Sequence, residues 1–498
     1  MKIFFKIQIL IILNLFLITT LVDAAPNKFK KRLTTRMPNQ MHHGLTLYTS
    51  LVEKNIFVLN DQGEVVHRFQ NPDTSLHIGE VLQPLENGNL LTYLRTDDYV
   101  SNYLRLVEFN QNGDIVWEYF DSTYHSLNHD FQRLENGNTL ILAGVERTVP
   151  IVAERAIKDD YIIEISPDGQ ILWEWSAADH YSQMELSAEA RQIIYNGDII
   201  PSNDPGDVFH TNSIQALPPN PYGDIDSRFT AGNILVSQRN TNLVFIIEKT
   251  TGDIIWTLEK NTIGQHNARM IIPDLPGHGN ITVFDNGGWA GYPRKYRFSS
   301  RVLEVNPLAQ RVVWSYDARD SKRPKRSFFS AFRGSVQRLP NGNTMIAEAE
   351  WGRIFEVKRN GRIVWEYINP YFKGGGDFSN RIYRAIRIEN SWLTQAAPPQ
   401  MNARPKISLT NAPNPFNGNT RISFKPMVPG PYTIAIYNLR GSMIRQLKIP
   451  SNSMTNQGQI IIWDGLDNSG RNVASGSYTY TLRAAGDIIA ANQLLILK

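Results

Sequence analysis

Seven side chains, spread over more than two hundred residues of the sequence, have the types needed to hold and move a negatively charged group. His266 lies in Gly264–Gly287, GQHNARMIIPDLPGHGNITVFDNG, just ahead of an apolar run that ends in a turn. A neutral imidazole is a competent nucleophile and can carry a transferred group between two half-reactions. His129, beside Asn128 in NHDFQRLENGN, and His210 with Asn212 in DVFHTNSIQAL are its histidine and amide companions. Arg239 in NILVSQRNTN and Arg333 in FRGSVQRLPNGN add guanidinium groups. Brought together, these donors form an anion pocket with a nucleophile inside it. An isolated histidine is more often a satisfied structural side chain, so the chemistry depends on elements that make these residues meet.

Those elements are repeats. The phrase GEVVHRF at Gly63 returns as GDIVWEY at Gly113, GQILWEW at Gly169, GDIIWTL at Gly252, QRVVWSY at Gln310 and GRIVWEY at Gly361. Each copy reads as a turn followed by the second arm of a hairpin. A second phrase alternates with it: LENGNLL at Leu85, LENGNTLIL at Leu134, AGNILVS at Ala231, HGNITVF at His278 and LPNGNTMIA at Leu339. Asn-Gly between apolar strands is a strong hairpin signal because both turn positions need positive φ. Units of about 50 residues built from four strands, with no helical pattern between them, predict a β-propeller. Six copies predict six blades over residues 43–395.

In such a ring the residues entering each innermost strand line the mouth of the central channel. His129 and Asn212 each stand five residues ahead of the leucine that closes an inner hairpin strand, and His266 and Arg333 lead into the next two. Arg381–Leu393 reads as an inner hairpin without its outer pair and Leu45–Phe69 as an outer pair without its inner one, so the two are expected to share the closing blade. Trp117, Trp173, Trp256, Trp314 and Trp365 are expected to be buried between blades. The polar insertion around Met184–Pro205 reads as a loop crossing the mouth.

Composition sets the wider bounds. The chain is 42% hydrophobic and 20% charged, with 51 basic against 47 acidic side chains, a balance too even for a nucleic-acid binder. Clusters such as Lys28–Arg32 and Lys322–Arg326 read as solvated charge, the second placed where it can also recruit an anionic substrate. Lys2 and Lys6 precede an apolar run and Val22-Asp23-Ala24 supplies small residues, so residues 1–24 read as a secretory signal and 25–42 as linker. No later stretch reaches the ~18 apolar residues of a membrane span. The expected location is exported: periplasmic, cell-surface or secreted. There are no cysteines, which excludes disulfides, thiolate catalysis and Cys-ligated metal.

Past residue 395 the text changes. Residues 396–405 form a Pro-rich linker, and 406–498 read as about seven short antiparallel strands, the size of an immunoglobulin-like β-sandwich. Its NPFN, IYNLRG, WDG-DNSG and SGSYTY phrases resemble the C-terminal sorting domain of the type IX secretion system and the related FlgD-like Ig module. That resemblance implies a partner in the secretion machinery.

The propeller in turn resembles the bacterial arylsulfate sulfotransferase family over roughly Gly44–Leu393. FHTNSI followed by LVSQRN, and QHNAR followed by ITVFDNG, are the most specific pieces. The resemblance implies a nucleotide-independent transfer of a sulfuryl group from a small phenolic sulfate donor to a phenolic acceptor, with no cofactor. By the same resemblance His266 is the histidine that becomes sulfated. His210, Asn212 and Arg239 hold the sulfuryl oxygens, and His129 is a further active-site histidine. Apart from the resemblance, Arg333 and Asn128, which stand at the strand entrances, are expected to bind substrate. Asn267 departs from the pattern, since relatives often carry an acidic residue after the nucleophile.

Two other readings compete. His129, His210 and His266 can be read as ligands of a zinc-dependent hydrolase, with Asp130 and Asp285 as candidate bases. A secreted propeller can also be a non-catalytic binding scaffold.

Overall fold

The computed structural model describes residues 32–70, 76–96, 105–120, 126–197, 204, 206–259, 262–372, 379–394, 409–424, 432–438, 442–449, 459–484 and 487–497. The signal-peptide expectation for 1–24 and the linker expectation for 396–405 lie outside these residues. The chain divides into two units, Met1–Pro398 and Pro399–Lys498.

Five four-stranded antiparallel sheets, a sixth of five strands and a small two-stranded hairpin make up the described part of the first unit, and it is a β-propeller. Their inner strands are Leu76–Pro84, Ser126–Arg133, Thr211–Ala216, His266–Met270, Ser335–Arg338 and Ile382–Ile388. Each inner strand touches the next in this order, and the sixth touches the first, so the ring closes. The closing sheet runs Ile382–Ile388, Leu45–Ser50, Asn55–Leu59, Val65–Phe69. One strand from the far end of the propeller therefore joins three from its start. This corrects the expected two-plus-two division: Leu45–Phe69 holds three strands because the short turn Leu51–Lys54 splits its first half.

The linker expectation for 25–42 is corrected as well. Leu33–Arg36 is a strand that pairs with Ile363–Ile368 and extends the fifth sheet outward. The insertion around Met184–Pro205 is corrected from loop to helix over Ala188–Asn196. Ser187 caps its first turn by accepting from the Ala190 N–H. At its other end Arg155 donates to the carbonyls of Ile194 and Tyr195 at 2.9 and 2.8 Å, where the helix dipole favours a cation.

Inner strands leave one edge of every sheet without a backbone partner, and buried N–H groups there need acceptors. A belt of polar side chains supplies them. Gln83 accepts from the Arg133 N–H, Gln132 from Ala216, Gln215 from Met270 and Gln337 from Arg387, at 2.7–2.8 Å. Asp130, Ser213, Asn267 and Ser335 do the same one step nearer the strand starts, for Ile214, Ala268, Val336 and Ala385. The inner strands are thus locked in parallel register, which fixes the height of each residue along the axis.

Between neighbouring sheets, outer-strand tryptophans reach across. Trp117 donates to the Pro167 carbonyl, Trp256 to Pro307, Trp314 to Arg359 and Trp365 to Asp61. In the second sheet the residue that does this is Trp175, to Gly252, not the expected Trp173, which is half-buried under the Lys249 ammonium. Trp117 is also only half-buried, while Trp256, Trp314 and Trp365 are buried. Each fully buried indole contributes on the order of 2–3 kcal/mol through area removed from water.

The second unit, taken by itself, is a β-sandwich. Leu409–Ala412, Thr420–Phe424 and Gln459–Trp463 form one sheet, and Tyr432–Tyr437, Met443–Ile449, Gly476–Ala484 and Asp487–Ile496 the other. Ile422, Phe424 and Trp463 from the first pack with Ile434, Ile436, Tyr480 and Leu482 from the second in one core.

Candidate active site

Each of the six inner strands, no later than its midpoint or just before its start, delivers one chemically capable residue to the channel mouth. In ring order they are Glu80, His129, His210, His266, Arg333 and Tyr383. The His129 and His210 rings lie 4.8 Å apart, and the Tyr383 hydroxyl is 3.3 Å from Nδ1 of His129. The Arg333 N–H is 3.3 Å from Nε2 of His266. Four residues here have positive φ: His129 (50°), His210 (53°), Asn267 (53°) and Arg333 (60°). Non-glycine residues adopt this conformation at a cost, and its concentration on the inner strands and their entrances re-aims these side chains. Asparagine tolerates it best, which accounts for Asn267: its side chain also accepts from the Val336 N–H at 2.9 Å.

His266 is buried and its tautomer is fixed. Nδ1 faces the Gly264 carbonyl at 3.0 Å and Oδ1 of Asn286 at 2.9 Å. The amide of Asn286 is itself oriented by two carbonyls, Ser330 at 2.8 Å and Arg333 at 2.6 Å, which take its nitrogen. Nδ1 must therefore carry the hydrogen, leaving the lone pair on Nε2. Burial, then the Arg239 guanidinium, holds the imidazole well below its ordinary pKa and so neutral. The residue before it, Gln265, anchors the chain by donating to Ser237 Oγ and to the carbonyls of Gln238 and Leu243.

Arg239 is 2% exposed and pairs with no carboxylate among the described residues. It donates to Oδ1 of Asn240 at 2.7 Å and to the Trp289 carbonyl at 3.3 Å, lies 4.8 Å over the Phe332 ring, and leaves Nε without a partner. Burial lowers its pKa to about 10, so it remains a cation. A desolvated cation with a spare donor is poised for an anion.

The remaining expected residues divide. His210 is held by Asp207, whose Oδ2 sits 2.5 Å from Nδ1, so its Nε2 is the free nitrogen. Burial and the neighbouring His210 push His129 down to about 3, so it is neutral. Arg333 joins through its backbone N–H, while its guanidinium is ion-paired to Glu350 at 2.7 Å. Asn212 is buried with its amide nitrogen donating to the Gln265 carbonyl at 2.8 Å, so it braces the peptide ahead of His266. The Asn128 side chain lies outside the described residues.

Glu80, Asp207, Asn286 and Tyr383 were not anticipated. Asn286 was hidden inside an Asn-Gly pair that reads as a turn, and Tyr383 inside a strand that reads only as closure.

Beneath the histidines, Asp130 receives Arg269 at 2.6 Å, Arg384 at 2.5 Å and the Ile214 N–H at 2.8 Å. Asp285 is likewise held by Arg297 and Arg301. Neither carboxylate is placed as the base that the hydrolase reading requires, and no group of three or more His, Asp or Glu among the described residues has metal-binding spacing. A cavity of about 280 Å³ opens farther along the axis, lined from Asp130, Asn267 and Arg384 onward to Gln215, Gln337 and Arg338.

Residues 81–370, more than half of the chain, match the family model described as arylsulfotransferase (ASST). Residues 412–496 match the model of a secretion system C-terminal sorting domain. Among solved structures the chain is similar to a protein of unknown function from Bacteroides caccae, at 14% identity over 70% of this chain and 100% of that one, TM-score 0.42. It is also similar to a streptogramin B lyase, at 13% identity over 68% and 82%, TM-score 0.37. The Dos1 propeller matches at 9% identity over 94% and 98%, TM-score 0.34. No curated protein matches the chain.

Proposed function

The chain belongs to the arylsulfotransferase family, and from that premise we propose that it moves a sulfuryl group from a phenolic sulfate ester to a phenolic acceptor through a sulfohistidine at His266, without a nucleotide donor. The observation that carries the reading is the pairing of a neutral, Nδ1-protonated His266 with a buried Arg239 that has no carboxylate partner among the described residues.

In the first half-reaction Nε2 of His266 attacks sulfur. The sulfur–oxygen bond to the aryl group breaks, its electron pair leaves on the phenolate oxygen, and His210 gives that oxygen a proton. Negative charge on the sulfuryl oxygens falls to Arg239; the Arg333 N–H, which donates to the Nε2 lone pair at 3.3 Å before reaction, is released to them as that pair moves to sulfur. The imidazole becomes positive on accepting sulfur, and the carbonyl oxygens of Gly264 and Asn286 face its Nδ1–H. Being neutral, they stabilise that charge only modestly, so the sulfuryl group stays transferable. In the second half-reaction the acceptor phenol gives its proton to His210 and attacks sulfur, and Nε2 leaves. His210 suits the shuttle because its Nδ1 is anchored on the Asp207 carboxylate, which leaves Nε2 for the substrate oxygen, whereas His129 is held neutral.

The carboxy-terminal sorting domain implies export, with the secretion machinery as its partner. The test is to expose the protein to a chromogenic aryl sulfate, quench, and weigh its peptides. An adduct of about 80 Da on the peptide containing His266 is expected. Near-normal transfer by His266→Asn, for which a loss of at least ~10³ in kcat is expected, overturns the assignment.

A further inference from the structure

An aromatic surface leads away from Arg239 and has no part in the reaction above. Phe332 lies under the guanidinium and meets Trp289 edge-on, centroids 6.4 Å apart. Trp289 stands opposite Tyr296 in the small hairpin Gly288–Ala290 and Lys295–Arg297, on the same face. Tyr296 is 6.0 Å from Phe298, and Phe298 is 6.4 Å from Phe329. Exposure rises from Arg239 at 2% through Trp289 at 45% to Tyr296 at 68%, and is 53% at Phe298.

The hairpin is held rigidly in place. Gly287 has φ 76°, and a Cβ there would lie 2.5 Å from the Arg297 carbonyl oxygen, so only glycine lets the two arms close. Arg297 donates to the carbonyls of Ser299 and Asp285. Contiguous exposed aromatics on a fixed frame beside a reactive pocket mark a binding surface rather than chance exposure.

Its chemistry names the occupant. Stacked or edge-on aromatic contacts select flat rings, and the row is continuous with the pocket that holds the sulfuryl group. The Arg326 guanidinium over Phe298, at 5.9 Å, adds positive charge at the outer end. We propose that Trp289, Tyr296 and Phe298 form an extended aryl subsite that selects phenols of two or more linked rings, with the reacting hydroxyl at Arg239 and the distal ring on Tyr296 and Phe298. This rests on the sulfuryl-transfer reading, and it adds which phenols are preferred.

The test is calorimetric binding of phenol and 4-phenylphenol to the full chain without sulfate donor, where nothing turns over. We expect 4-phenylphenol to bind at least about tenfold more tightly, and Tyr296→Ala/Phe298→Ala to narrow the gap to about threefold or less. Tyr296→Phe, which keeps the ring, should preserve it. An unchanged gap in the double variant overturns the subsite, as does the absence of any gap in the parent protein. Concentration-dependent dimerisation lost in the double variant also overturns it, assigning the surface to a second copy of the chain. Tight two-ring binding without any sulfuryl transfer would leave the subsite standing and remove the proposed reaction instead; transfer without ring preference would do the reverse.

Discussion

Oδ2 of Asp207 lies 2.5 Å from Nδ1 of His210, whereas the corresponding nitrogen of His266 faces only neutral oxygens. A carboxylate supports an imidazolium; carbonyl oxygens favour the neutral ring with a fixed tautomer. Two histidines on adjacent blades thus sit in different electrostatic settings, which is the basis of the separate roles proposed for them.

Loss of the carboxylate should expose the proton carrier. With Asp207→Asn, transfer from esters of poorly acidic phenols, pKa about 10, is expected to fall by ~10²–10³. Esters of acidic nitrophenols, which leave without help, should fall less than about tenfold. Rates across a leaving-group series check this; a uniform fall would assign Asp207 to folding alone.

The converse substitution is Asn286→Asp. A carboxylate at Nδ1 raises the pKa of His266, so more of it is protonated at pH 6 and the nucleophile is lost there. The acid limb of the sulfation rate should move to higher pH than in the parent protein. Single-turnover rates between pH 5 and 8 measure the displacement.

Arg239 predicts opposed effects on activity and stability. A buried cation without a carboxylate costs stability, so Arg239→Met should raise Tm while lowering kcat/KM by ~10²–10³. Arg239→Lys should recover little, because the fork is lost. A melting curve and a rate on the same preparation are sufficient.

Burial depresses the folded pKa values of His129 and His266 below the unfolded value near 6.5. Below that value the unfolded chain binds protons that the folded chain does not, so stability falls as pH drops from about 6.5 toward 3. His129→Gln should make this decline shallower. Denaturant midpoints at pH 7, 5 and 4 in both proteins give the comparison.

Much was legible from residue types and spacing. Turn glycines, Asn-Gly pairs and β-branched runs act over a few residues, so the repeats, the propeller and the sandwich followed from local chemistry. The motifs around His210, Arg239 and His266 named residues that the fold does bring to one mouth. The three-plus-one closing sheet, the Leu33–Arg36 strand and the Ala188–Asn196 helix depended on distant pairing partners and tertiary packing, which local patterns do not carry.

The site divides along the same line. By itself the sequence determined which functional groups this protein possesses and that a ring would gather them. Only the tertiary structure decided their states: which nitrogen of His266 holds the hydrogen, that Asp207 belongs to His210, that Asn212 braces a peptide, and that Arg239 meets no carboxylate among the described residues. Protonation and tautomer are set by burial and by oxygens within about 3 Å. In this chain those oxygens come from residues such as Asn286 and Gly264, whose types are common and whose positions become meaningful only once the blades are stacked.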